Sequence, residues 1–398
     1  MKNLKYDALI IGGGPAGATA AILLARAGWS VAVVEMKAYP RRKVCGEFIS
    51  ATSQPLLREL GVDKAFRNRA GPEVRRVGLF AQDTVLAAAM PRLSSFHGQW
   101  GRALGREHLD QMLLEAAAQA GATLWQPWRA ADLKHGKDGT ACTITAKGGS
   151  KDLSARIAIV AQGSWERGVW PGANVRSHKP SDLLAFKAHF RDCDLPSDLM
   201  PLLVFPGGYG GMVHSDGGRV SLSCCIRRDT LSSCRQRYQS AHAGDAVIQH
   251  IQSSCLGVRQ ALRRALCDGI WLSAGPINPG IRECYSDGYF FVGNSAGEAH
   301  PIVAEGISMA MQSSWLLAKQ LVARQDEAVT PRMMSEIGAD YGVAWKALFA
   351  MRVHAAAFFA HIAMRPSTTA LCLPILKQFP GILTFGAHIS GKAQLVTS

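Results

Sequence analysis

A strand, a glycine-rich turn, a helix and a second strand open the chain, and no other feature limits the fold as tightly. Residues Tyr6 to Ile11 form an apolar strand, Gly12-Gly13-Gly14-Pro15-Ala16-Gly17 the turn, and Ala18 to Gly28 an alanine-rich helix closed by glycine. Val31-Ala32-Val33-Val34-Glu35 is then a second strand ending in an acid. A parallel crossover of this kind is right-handed and requires a sheet covered by helices.

The spacing Gly12-x-Gly14-x-x-Gly17 adds chemistry to this geometry. Gly12 allows a tight turn, Gly14 lets the backbone approach a pyrophosphate, and Gly17 lets the helix pack close to the strand. With Pro15 and Ala16 they aim the helix N-terminus at phosphate oxygens. Glu35, 18 positions beyond Gly17, and its neighbour Met36 fall where an adenosine ribose would lie. A carboxylate there accepts hydrogen bonds from ribose hydroxyls and repels a 2′-phosphate. The pattern therefore fits FAD or NAD and not NADP.

Composition sets the outer limits. The 398 residues are 48% hydrophobic and 19% charged, which excludes a disordered polymer. Forty-four Lys and Arg against 30 Asp and Glu give a net charge of +14. The basic residues lie in short clusters such as Arg41-Arg42-Lys43, with no nucleic-acid motif, so nucleic acid is not an expected partner. Ten scattered cysteines suit reduced thiols and no metal site. No uninterrupted apolar run reaches the roughly 18–20 residues of a bilayer span. The first residues lead straight into a strand, so a cytoplasmic location is expected.

Further along, residues 106–120 read as a helix, 123–126, 140–146 and 156–160 as strands, and 182–226 as glycine-containing strands. Residues 230–266 read as helical, 289–292 as a strand, and a long helical stretch begins near Glu305. The expected class is α/β: a Rossmann-like nucleotide domain interleaved with a β-sheet substrate domain, followed by C-terminal helices. The expected boundaries are 1–71, 101–165 and 270–328 for the first, 72–100 and 166–269 for the second, and 329–398 for the tail.

Two more motifs decide which dinucleotide is meant. One is Arg106-Glu-His-Leu-Asp110, opening a helix. The other is Gly293-Asn294-Ser-Ala-Gly297, followed by Pro301-Ile-Val-Ala304-Glu305-Gly306-Ile307-Ser308. Together with the N-terminal fingerprint, in this order, they resemble the flavoprotein monooxygenase superfamily, which includes aromatic hydroxylases, flavin halogenases and geranylgeranyl-reductase-like enzymes. The resemblance implies FAD. It places Arg106 against the pyrophosphate and ribityl chain, Asn294 on a ribityl hydroxyl, and Pro301, Gly306, Ile307 and Ser308 at the flavin ring. Asn294 replaces the family's usual Asp and Ala304 a usual Gly.

The same resemblance directs attention to three other segments. Arg42, Cys45 and Gly46 match a Cys-Gly flavin loop of the geranylgeranyl-reductase-like branch. Ala161-Gln162-Gly163 stands where aromatic hydroxylases carry an Asp-Gly motif that also serves NAD(P)H. Gln162 in place of the acid leaves two candidate electron donors, NAD(P)H directly or a partner reductase. Gly207 to Ser215 occupies the place of the halogenase and prenyl-reductase fingerprints but matches neither; Tyr209, Gly211 and His214 are its candidate substrate-lining residues. Candidate acid–base groups are His300, Glu305 and Glu47, with His97 and His214 also considered.

The residues after Asp340, 58 in number, contain no Asp or Glu but include Lys346, Arg352, Arg365, Lys377 and Lys392. At ~100° per residue, Lys346, His354, His361 and Arg365 share one helical face, with Trp345, Phe349 and Val353 elsewhere. Such a helix either caps the core or meets an anionic membrane or acidic carrier protein, which would make the protein peripheral to the membrane. The expected function is FAD-dependent oxidation chemistry on a small apolar substrate. Hydroxylation of an aromatic or polyketide-like molecule, through the flavin C4a-hydroperoxide that the resemblance implies, is ranked first. Reduction or dehydrogenation of an isoprenoid or lipid-like molecule is second, ahead of halogenation or flavin binding without catalysis.

Overall fold

The computed structural model describes residues 4–92, 100–136, 139–163, 178–327 and 329–392. His97 lies outside them. The first sheet runs in the order Tyr285–Ser286, Tyr289–Phe291, Gly149–Val160, Leu4–Ile11, Val31–Val34, Thr123–Trp125. Its central pairs are parallel, with Ile11 opposite both Val34 and Val160, Val160 opposite Phe291 and Val34 opposite Trp125. These strands therefore end along one edge, where open α/β sheets bind ligands. Residues 8–11 and 31–34 are buried throughout, as strands covered on both faces must be.

The helix Pro15–Arg26 crosses between the first two strands. A Cβ at Gly17 would overlap the Gly12 carbonyl oxygen, so only glycine permits this approach. Gly12 itself holds φ +109, with Ala161 against the place of its missing side chain. A strand at Arg129–Gly136, absent from the sequence reading, extends this sheet through Gly139–Ala146. A register shift between Ala130 and Asp132 breaks its alternation of apolar and polar residues, which hides it from pattern reading.

The second sheet runs Leu266–Cys267, Leu183–Arg191, Val220–Arg227, Gly208–His214, Leu199–Phe205, Arg76–Ala81, Thr84–Ala89. Leu272–Ala274 also pairs with Leu183–Arg191, so this sheet reaches past residue 269. Helices Arg228–Arg237, Ala243–Ser254 and Leu256–Ala261 cover its outer face through Leu231, Val247, Ile251 and Val258.

The tail forms helices Pro331–Ala363, Pro366–Gln378 and Gly381–Ala387. Thr330 caps the first, accepting from the Met333 amide at 3.1 Å, and Pro331 fits the first turn. Ile337, Tyr341, Trp345, Phe349 and Val353 carry its inner face into the core of the first sheet. Arg352 is also buried and donates to Gln312 Oε1 at 3.2 Å. By length and composition alone this helix could cross a bilayer, although Lys346 and Arg352 interrupt its apolar run.

Candidate functional site

The strand ends of the first sheet, the inner face of the second and the tail helices enclose one cavity of about 1180 Å³. At one end stand Gly12, Gly14, Pro15, Ala16, Glu35, Met36 and Arg106, joined by Ala161 and Gly163. Glu35 is pinned in place: its carboxylate accepts from the Gly13 and Lys37 amides, both at 2.9 Å, and from the Tyr39 hydroxyl at 3.2 Å. A side chain built at Gly14 would come near nothing but Arg106 Nη2, at 3.7 Å, so open space lies between the turn and a guanidinium.

Arg106 is held by Asp110 through two bonds of 2.6 and 2.8 Å, and Lys43 donates to the same carboxylate at 2.7 Å. Burial alone would raise Asp110, but Arg106 and Lys43 outweigh it and keep the carboxyl below its ordinary range. Asp110 thereby holds the Arg106 guanidinium beside the glycine turn, where it suits a pyrophosphate. Sequence reasoning does not single out Lys43 or Tyr39; for Lys43 the available signal is its place in the basic Arg41-Arg42-Lys43 run, and Tyr39 lies just ahead of that run. Arg42 lines the cavity but leans on Glu107 at 3.4 Å and on the Asp268 carbonyl at 2.8 Å.

The middle of the cavity is built by Cys45, Gly46, Asn294, Pro301, Gly306 and Ile307. Gly306 begins the 18-residue helix Gly306–Ala323, and because Gly306 and Ile307 line the cavity the helix N-terminus faces it. Ala304, where the family usually has glycine, sits at φ +52, a left-handed conformation that glycine adopts without strain. Gln162 lines the cavity with its buried Oε1 unpartnered among the described residues. The open cradle at Gly14, the cationic pair and this free acceptor all fit a flavin dinucleotide. Gly17 and Ser308 stand outside the lining: Gly17 seats the helix, and Ser308 bonds Ser50 at 3.2 Å.

The candidate acid–base residues separate. Glu305, fully buried, accepts from Ser50 at 3.1 Å and stands at the residue before helix Gly306–Ala323, outside the cavity lining. Glu47 borders the cavity at φ +66, but its carboxylate is bound to Lys187 and, at 3.0 Å, to His189. All three residues are buried; burial alone would raise Glu47, and the two bases instead hold it far below the usual carboxylate range. Saturated in this way, Glu47 serves as a tie between the Cys45–Glu47 loop and strand Leu183–Arg191 and has no proton to offer. His214 points away, with its Nε2 2.8 Å from the Leu195 carbonyl, and is not among the lining residues, unlike Tyr209 and Gly211.

His300 does not line the cavity either, but Tyr209 does, and its hydroxyl lies 3.0 Å from His300 Nδ1. Tyr209 is 1% exposed, and burial pushes its phenol well above its ordinary value. Burial lowers His300 to about 4. At neutral pH this pair carries no charge. The far end of the cavity is apolar, walled by Leu79, Leu202, Phe359, Leu373, Leu376 and Leu383. The last four come from the tail, which sequence reasoning had placed as a cap or a docking helix.

Known proteins resemble this chain in sequence and in fold. Menaquinone reductase of Mycolicibacterium smegmatis is 22% identical over 411 residues, covering 98% of this chain and 92% of its own. Digeranylgeranylglycerophospholipid reductase 1 of Methanothermobacter thermautotrophicus is 26% identical over 342 residues, covering 83% and 81%. Conditioned medium factor receptor 1 of Dictyostelium discoideum is 25% identical over 357 residues, but this chain spans 64% of its length. The flavin-dependent brominase Bmp2 superposes with a TM-score of 0.76 at 17% identity, covering 98% of this chain and 94% of that one. A family model described as an FAD binding domain matches residues 5–335. The chain belongs to that family and is an FAD-dependent oxidoreductase.

Proposed function

We propose that the substrate is a lipid-like molecule with a long hydrocarbon portion, and that the reaction is two-electron reduction of a carbon–carbon double bond or quinoid ring. The observation that carries this reading is the continuity of the cavity from the glycine turn to the apolar wall of Phe359, Leu373, Leu376 and Leu383. Two similar proteins bear the names of reductases for menaquinone and for a glycerophospholipid, which supports the same class.

FAD, when bound, supplies the hydride chemistry. The chain supplies orientation, water exclusion and a proton. Tyr209 faces the cavity and stays protonated, so its hydroxyl is placed to donate. His300, partly exposed behind it, can return a proton to the phenol oxygen from solvent. An uncharged relay suits an apolar cavity, where a fixed charge would be costly.

Hydroxylation of an aromatic ring is the second reading, favoured by the same Tyr209–His300 pair, which could equally take a proton from a phenolic substrate. One experiment separates the two. Photoreduced holoenzyme is mixed with a menaquinone or geranylgeranyl lipid, once anaerobically and once in air, and the product is examined by mass spectrometry. Gain of two hydrogens without oxygen supports reduction. Product formed only in oxygen, carrying one added oxygen atom, supports hydroxylation.

A further inference from the structure

The outward face of the tail leaves large apolar side chains in solvent beside the cavity. Ile375 and Ile382 both line the cavity and are 54% and 41% exposed, so they mark its rim. Leu371, Phe379 and Phe385 surround that rim at 75%, 56% and 63% exposure. Leu371 and Ile375 sit on the helical segment Pro366–Gln378, Ile382 and Phe385 on Gly381–Gly391, and Phe379 at the turn between them, where the two bend by 113°. On helix Pro331–Ala363, Val343, Met351 and Phe358 are exposed in the same manner.

Lysine, arginine and histidine side chains are interleaved with these residues. Lys346, His354 and His361 are exposed and fall with Val343, Met351 and Phe358 inside an arc of about 140° at ~100° per residue. Lys377 is exposed between Ile375 and Phe379, and Arg365 is exposed ahead of Pro366. No Asp or Glu follows Asp340, so the segment contributes no negative charge. Arg352, the tail cation that departs from this stripe, is turned inward to Gln312.

We infer that this face docks on an anionic phospholipid bilayer, with the cavity mouth at Ile375 and Ile382 opening into the lipid. Branched and aromatic side chains enter the acyl boundary while lysine and arginine heads remain at the phosphates. A second copy of the chain would set this positive surface against itself. An acidic protein would satisfy the cations but leave no reason for bulky apolar chains around a cavity rim. The lipid surface answers both features. Docking rests on this surface alone, whereas its use, delivery of a lipid-like substrate from the bilayer, rests on the reading of the reaction above.

The test measures binding without turnover. FAD-loaded full-length protein is floated with vesicles of phosphatidylcholine alone or mixed with phosphatidylglycerol, at low and high salt. Binding is expected to require phosphatidylglycerol and to weaken with salt. Arg365→Glu and Lys377→Glu should each weaken it about fivefold or more. Phe379→Ser with Phe385→Ser should abolish it while flavin absorbance and Tm stay at their starting values. Protein that remains unbound at low salt overturns the inference, as does binding indifferent to both sets of variants. Concentration-dependent dimerisation that is lost in Phe379→Ser, with no vesicle binding, assigns the face to a second copy and also overturns it.

Discussion

Tyr209 and His300 meet across the two halves of the molecule, the phenol oxygen 3.0 Å from Nδ1. Tyr209 comes from a strand of the second sheet, and His300 precedes the turn that leads into helix Gly306–Ala323. The pair therefore joins the substrate wall to the chain segment nearest the flavin motif. Tyr209→Phe should lower kcat by about 10²–10⁴, the usual range for losing a proton-transfer group, while leaving FAD affinity unchanged. Equal loss of FAD and activity would show that Tyr209 supports the fold and does not move a proton.

The depressed His300 also gives a stability signature. Its folded value of about 4 lies below the ordinary 6.5, so the unfolded chain binds the extra proton between those values. Stability must then fall as pH drops from 6.5 toward 4, by on the order of 2–3 kcal/mol. His300→Asn keeps a polar partner for Tyr209 and cannot titrate. Urea unfolding at pH 7 and pH 4.5 should show a flatter pH dependence in this variant; an unchanged slope contradicts the assignment.

Gly14 and Gly17 should respond differently to the same substitution. Open space beside Gly14 lets Gly14→Val fold but fills the place of the pyrophosphate, giving a colourless protein with a near-native Tm. Gly17→Val collides with the Gly12 carbonyl and should not yield soluble protein. Flavin absorbance near ~450 nm, expected of an oxidised flavin, together with thermal melting, distinguishes these outcomes. A yellow Gly14→Val protein would refute the cofactor placement.

The tie among Glu47, Lys187 and His189 is structural. Glu47→Gln leaves Lys187 buried without its carboxylate, a loss of about 3–5 kcal/mol. Adding Lys187→Met should restore much of the stability. Because Glu47 is held below its ordinary value of 4.5, its contribution is complete above that pH and disappears as pH falls through the folded value. Denaturant midpoints of the single and double variants provide the check.

Residues 12–35 and 106–110 were legible in the sequence because turn geometry and helix spacing act over short distances. The partners of Glu47 were not: they lie 140 and 142 positions away, on a strand whose alternation gives no hint of a buried lysine. His214 was misplaced because the period of its strand does not foretell that the ring turns to the Leu195 carbonyl. In the tail, periodicity separated polar from apolar faces, yet apolar residues serve the core at Trp345, the cavity at Leu376 and the surface at Phe379. Only the tertiary arrangement distinguishes these roles.

In the proposed reaction, flavin and a hydrocarbon-tailed substrate share one cavity walled by the tail. Anaerobic stopped-flow reoxidation of the reduced flavin by quinones of increasing isoprenoid length tests it most directly. Catalytic efficiency should rise with tail length. Leu376→Trp, which narrows the apolar end, should cut efficiency about tenfold or more for long tails and leave short ones nearly unchanged, since burial scales with the apolar area removed from water. Efficiency independent of tail length, or equal loss for short and long quinones, would contradict the account.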